Sequence, residues 1–199
     1  MDGPIEIETF PALLDWRVPP DRWELVDGRL TIEAGPRTDW FVAPAGDAEP
    51  LANGPALLGP VAGDFQLSAR VTVDFAATFD AGVLMLHADD RLWAKLCFEY
   101  SPRGEPMVVS VVTDGVSDDA NAFVVDGRQV WLRVSRLGRA FAFHASLDGA
   151  RWELIRHFAL GGEPALGFEA QSPTGEGCVA VFDEIRFTTE RLADLRDGS

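Results

Sequence analysis

The chain has 199 residues, with 32 acidic against 17 basic side chains and a formal charge of −15. A chain of this length buries enough surface to fold as one domain, residues 1–199, without metal or disulfide. Its negative excess repels phosphate backbones and anionic headgroups, which excludes nucleic acid and membrane surfaces as partners. Cys97 and Cys178 both sit inside apolar segments; this rules out a disulfide scaffold and points to buried thiols in a reducing compartment, so a cytoplasmic location is expected. The opening MDGPIEIETF has neither the basic nor the apolar region of a secretory leader, and no apolar run reaches spanning length.

Period-two alternation, with β-branched and aromatic residues between turn signals, argues for strands through most of the chain. Residues 22–26 and 29–34 flank Asp27-Gly28, a dipeptide suited to a tight hairpin. Residues 44–63, rich in Pro, Gly and Ala, read as a long surface loop with one short strand near 56–58. Strands follow at 65–75, 82–87, 91–100 and 107–113, joined as a meander, then at 129–137, 139–147 and 151–160, and finally at 165–171 and 178–188. About a dozen strands in one chain must form two packed layers or a barrel, and a sandwich is favoured. Only residues 190–195 look helical, and they read as a terminal turn.

Lys95 is the only lysine beside sixteen arginines, and it lies mid-strand in RLWAKLCFEY. Alternation sends Leu92, Ala94, Leu96, Phe98 and Tyr100 to the core and Trp93, Lys95, Cys97 and Glu99 to the opposite face, successive side chains about 6.6 Å apart. An indole, an ammonium and a carboxylate in one row form a candidate ligand cleft. The alternative is a solvated outer face, but an exposed Trp93 is costly unless a ring such as a sugar stacks on it. His87, His144 and His157 read as structural. No HExxH spacing exists for zinc, and the acidic stretch Asp114, Asp118, Asp119, Asn121 lacks EF-hand spacing and reads as a solvated turn. No GxSxG elbow, GxGxxG or P-loop occurs, so neither a metal nor a cofactor is expected.

An ordered series of motifs covers nearly the whole chain: Thr38-Asp39-Trp40-Phe41, Gly63-Asp64-Phe65, Gly82-Val83-Leu84-Met85-Leu86 with Asp89-Asp90, Trp93-Ala94-Lys95, Glu99-Tyr100, residues 110–118, Trp131-Leu132-Arg133, Ser146-Leu147-Asp148-Gly149 with Trp152, and residues 172–177. In these the chain resembles the bacterial and fungal domains of unknown function similar to the regulator-of-enolase protein, in the concanavalin A-like lectin and glucanase superfamily. The resemblance implies an all-β, antiparallel two-sheet jelly-roll sandwich whose concave sheet carries carbohydrate or hydrolytic sites. With the alternation it points to Trp93, Lys95 and Glu99 on that sheet, joined by Ser110 from a neighbouring strand and by Ser117 and Asp118 from its loop. The chain departs from the relatives' pattern at Asn53-Gly54-Pro55, where they carry Asn-Gly-His, and at Asp119, where they carry tryptophan. The ExDxE pair of the superfamily's glucanases is absent, which speaks against a glycoside hydrolase.

The leading expectation is a binding domain for a carbohydrate or other polar small molecule, with Trp93 stacking and Lys95 and Glu99 forming charge-assisted hydrogen bonds. A second is a metal-free enzyme, an isomerase, lyase or cyclase, with Glu99 as general base, or Lys95 if desolvation lowers its pKa. A third is a regulatory module that docks a protein partner through a sheet edge or an apolar patch at residues 44–60.

Overall fold

The computed structural model describes residues 3–199, so Met1 and Asp2, at the head of the stretch read for a leader, lie outside it. Among the described residues the strands are β1 (Asp15–Val18), β2 (Trp23–Val26), β3 (Arg29–Ala34), β4 (Trp40–Phe41), β5 (Leu51–Ala52), β6 (Ala56–Gly59), β7 (Phe65–Val73), β8 (Ala81–Asp89), β9 (Leu92–Tyr100), β10 (Pro106–Asp114), β11 (Val116–Val124), β12 (Gln129–Leu137), β13 (Ala140–Ser146), β14 (Glu153–Ala159), β15 (Ala165–Gln171) and β16 (Cys178–Thr188). They build two seven-stranded antiparallel sheets packed as a sandwich. The first has the order β1-β6-β15-β8-β9-β10-β11, the second β14-β13-β12-β7-β16-β3-β2, and β4 and β5 pair separately. No helix occurs among the described residues, and residues 190–194 are irregular ahead of a turn at 195–198.

Alternation sets which side chains meet between the sheets. Leu84, Leu96 and Phe168 of the first sheet share a core with Leu67, Val134 and Phe182 of the second, each worth about 1.5–3 kcal/mol when fully buried. The first sheet is also covered on its other face, where Trp40, Leu58, Val83, Met85, Trp93 and Cys97 form a second apolar cluster. Burial on both sides explains why β8 reads as a nearly unbroken apolar run rather than a clean alternation. The predicted hairpin is present: Val26 pairs with Arg29, and Asp27 and Gly28 take φ of 51° and 75°, the two positive values that a type I′ turn requires.

Two expectations need correction. The meander from residue 65 onward is interrupted, because β7 pairs with β12 and β16 in the second sheet while β8 to β11 run as a meander in the first. The acidic stretch around Asp118 and Asp119 is no turn but the edge strand β11, mostly exposed and paired along β10. An edge strand needs only one neighbour, and charged side chains there protect it from pairing with other chains, so its polar sequence masks a strand. The short strands β1, β4 and β5 likewise carry too few residues to show a period.

Candidate functional site

The site lies on the face of the first sheet turned away from the inter-sheet core. Residues 38–55 fold over this face and are fastened at several points. The Thr38 backbone N–H donates to Ser172 O at 3.3 Å, and Val42 and Ser117 exchange two bonds, Val42 N–H to Ser117 Oγ at 3.0 Å and Ser117 N–H to Val42 O at 2.9 Å. The Trp40 indole N–H donates to Gly54 O at 2.8 Å, and its ring meets Trp93 edge-on, centroids 5.6 Å apart at 77°.

This cover brings Asp39 onto Lys95. The Lys95 ammonium is 1 % exposed and donates to Asp39 Oδ1 at 2.8 Å and to Gln171 Oε1 at 2.7 Å. An ammonium has three N–H donors, so one is left without a protein partner. Burial pulls the Lys95 pKa down, but the Asp39 carboxylate, with Cys97 and Glu169 behind it, outweighs burial and raises it overall. The group therefore stays charged, and its expected use as a lowered-pKa base does not hold. Burial also pushes the Cys97 thiol well up, which suits a packing residue and not a nucleophile.

Beside the ammonium opens a cavity of about 150 Å³. Lys95, Asp39 and Gln171 form its charged end, Glu99 and Asp119 add carboxylates, and Phe41, Phe79, Val109 and Val111 supply apolar wall. Glu99 is half-buried by accessible area yet crowded closely by protein atoms, and this burial, only partly offset by Lys95, pushes its carboxyl up to about 8. Glu169 lies deeper. It is wholly buried, neither carboxyl oxygen has a hydrogen-bond partner, and burial pushes it up to about 8 against the pull of Lys95. A Cβ on Gly54 would come within 2.4 Å of Glu169 Oε1, so a glycine is needed at that contact. Both glutamates are thus poised to hold a proton near neutral pH.

The sequence-predicted residues divide. Lys95 and Glu99 line the cavity. Trp93 shares their face but is 1 % exposed and capped by Trp40, so it offers no free ring for stacking. Ser117 is on the same side, where its hydroxyl contacts Thr113 Oγ1 at 2.8 Å and receives Val42 N–H, holding the cover in place. Ser110 and Asp118 do not join the group. They pair with Leu96 and Val112, residues of core-facing parity, and both contact Arg156, Ser110 Oγ at 3.4 Å and Asp118 Oδ1 at 2.8 Å. Asp39, Gln171 and Glu169 were missed as site residues, and Asp119 was read only as a departure. Asp39 stands inside a quoted motif and Gln171 directly precedes another, but only the folded cover shows that both reach Lys95.

A family model described as a protein of unknown function (DUF1349) matches residues 16–190. The chain belongs to the DUF1349 family. A functionally unknown protein from Saccharomyces cerevisiae is 25 % identical to this DUF1349 chain, covering 94 % of it and 100 % of the yeast chain, with a TM-score of 0.83. A mutant of the GH43 protein BlXynB from Bacillus licheniformis is 14 % identical over 89 % of this chain and 37 % of its own, at a TM-score of 0.73. Xylan β-1,4-xylosidase from Bacillus halodurans C-125 is 12 % identical over 94 % of this chain and 38 % of its own, at 0.70. These two enzymes share the fold with the DUF1349 chain over little more than a third of their length. No curated protein matches the chain.

Proposed function

We propose that this DUF1349 chain is a binding domain for one small, neutral, polyhydroxylated molecule no larger than a single sugar ring. The observation that carries the reading is the buried Lys95 ammonium, held by Asp39 and Gln171 with one N–H unused, at the end of a cavity that also contains Glu99 and Asp119. Carboxylates accept hydroxyl protons, and the spare N–H donates to a hydroxyl oxygen, so both halves of each hydroxyl find a partner. The Asp39 and Asp119 carboxylates disfavour an anion and the ammonium disfavours a cation. The volume is below the ~300 Å³ usual for drug-sized ligands, and Phe41 and Phe79 provide the apolar contact that a ring needs. The free buried thiols support the reading of a reducing, cytoplasmic setting.

A second reading is favoured by one observation: Glu99, pushed up to about 8 beside the cavity, is suited to exchange a proton with a bound molecule near neutral pH. Docking of a protein partner finds less support, because within residues 44–60 Leu51 alone is a large exposed apolar side chain, beside exposed Asp47 and Glu49, while residues 54–59 are buried.

Calorimetric titration with neutral monosaccharides and hexose phosphates tests the binding reading. At least one neutral sugar binds, the phosphates bind more weakly, and Glu99→Ala and Asp119→Ala each lower the affinity by about tenfold, the loss of one hydrogen bond. Binding that is indifferent to both substitutions, or absent for every sugar, contradicts it.

A further inference from the structure

We propose that the outer face of the second sheet carries a separate site for a carboxylate-bearing sugar ring, a hexuronate, gripped by Arg133 and Arg186 in a groove flanked by Trp131 and Trp152. Strand register places the cations. His144 pairs with Arg133, Arg133 with Ser68, and Ser68 with Arg186, so these four residues form one row across β13, β12, β7 and β16. With strands about 4.8 Å apart, the two arginines stand about 10 Å apart at their Cα atoms, with Ser68 between them. The groove measures about 360 Å³, and both tryptophans are half-buried at its sides.

Its charges are unbalanced in an informative way. Arg133 is 6 % exposed, yet it touches no acid. Its Nη2 donates to Gly198 O at 2.7 Å, its guanidinium lies 4.2 Å from the Trp152 ring centroid, and its Nε has no partner. Burying a cation without a counter-ion is costly, and burial accordingly pulls its pKa down to about 10. Arg186 is exposed, and no ion pair or side-chain hydrogen bond engages it among the described residues.

Neither of the groove's two carboxylates pairs with Arg133 or Arg186. Asp148 Oδ1 accepts from the Ser146 hydroxyl and from the backbone N–H groups of Ala150 and Arg151. Glu184 accepts from the Trp131 indole N–H at 3.0 Å and pairs with Arg70 at 2.8 Å. A chain with a formal charge of −15 thus keeps two guanidinium groups free of acid in one groove. Repulsion from distant carboxylates is screened over about 8 Å at physiological salt, so the local pair decides what binds. Planar guanidinium forks match a carboxylate, the exposed parts of the two half-buried indoles, whose rings also carry Arg133 and Arg70, supply apolar surface beside a pyranose ring, and Gln66, Ser68 and Thr188 supply neutral partners for its hydroxyls. The 194–199 turn packs against Arg133 and Trp152, two residues that line the groove. A Cβ at Gly198 would fall 2.6 Å from Arg133 Nη2 and 2.7 Å from Trp152 Cβ, so only glycine lets the turn sit this close.

The test is a nitrogen-15 NMR titration of the full chain with sodium D-glucuronate, D-glucose and D-glucose 6-phosphate, following the indole signals. Glucuronate is expected to shift the Trp131 and Trp152 signals saturably, to bind about tenfold more tightly than glucose, one charge-assisted contact's worth, and to bind more tightly than the phosphate, whose second charge meets Asp148 and Glu184 in the same groove. Arg186→Met, on an exposed side chain that does not endanger folding, is expected to lower glucuronate affinity by about tenfold, while Glu99→Ala leaves it unchanged. Glucuronate that fails to shift the indoles, phosphate or glucose that binds equally well, or an unchanged affinity in folded Arg186→Met overturns the proposal.

Discussion

On the outer face of the first sheet the Lys95 ammonium touches Asp39 and Gln171 with Glu99 and Glu169 nearby, whereas on the outer face of the second the Arg133 guanidinium touches a carbonyl and an indole and no acid. Both cations are buried and both sit mid-strand. The first is held by residues 38–55 folded over the sheet, the second by the 194–199 turn. The contrast teaches that the sandwich itself dictates neither site: each is made by the segment laid across the sheet, and the charge that segment brings decides which ligand chemistry is left unsatisfied.

The contrast breaks most visibly in stability. Lys95→Met removes one partner of a buried pair and strands Asp39 and its neighbouring carboxyls, and urea unfolding should show a loss of about 3–5 kcal/mol. Arg133→Met leaves no acid behind and should cost only about 1 kcal/mol, one hydrogen bond and one ring contact offset by relief of desolvation. Equal costs would mean that the two faces hold their cations alike.

A smaller effect sharpens the account of the first face through pH. Glu99 and Glu169 have folded pKa values raised to about 8 against about 4.3 unfolded. Between those values the folded state binds more protons than the unfolded one, so stability is full below about pH 4.3, falls as pH rises, and levels off above about 8. Each group contributes a slope of at most about 1.4 kcal/mol per pH unit. Glu169→Gln should flatten this fall without affecting the wild-type stability near pH 5 much, and a slope that survives the substitution unchanged would assign the proton elsewhere. The smallest effect is expected for Asp118→Ala, which breaks an exposed ion pair with Arg156. It should cost less than about 1 kcal/mol and leave sugar binding at the Lys95 cavity intact.

Much of the architecture was legible because alternation and turn chemistry are local: the Asp27-Gly28 hairpin, the two faces of β9 and the paired outer strands all follow from neighbours in sequence. What escaped depends on distance. Trp93 was read as exposed because the strand alone does not show Trp40 lying on it. Ser110 and Asp118 were grouped with Lys95 by motif, but the register β9 to β10 to β11 gives them the opposite parity. Asp39 and Gln171 are 56 and 76 residues from Lys95, and nothing in their local pattern marks them as its partners. Strand β11 was hidden because an edge can be polar.

Since Lys95 is the single lysine of the chain, nitrogen-15 lysine labelling reports its ammonium alone, and its NMR signal tests the central claim most directly. The account predicts one slowly exchanging ammonium resonance, still protonated above the usual lysine range near pH 10.4 and displaced when a neutral sugar binds. A resonance that exchanges as fast as a free lysine, or that loses its proton at or below that range, would contradict it.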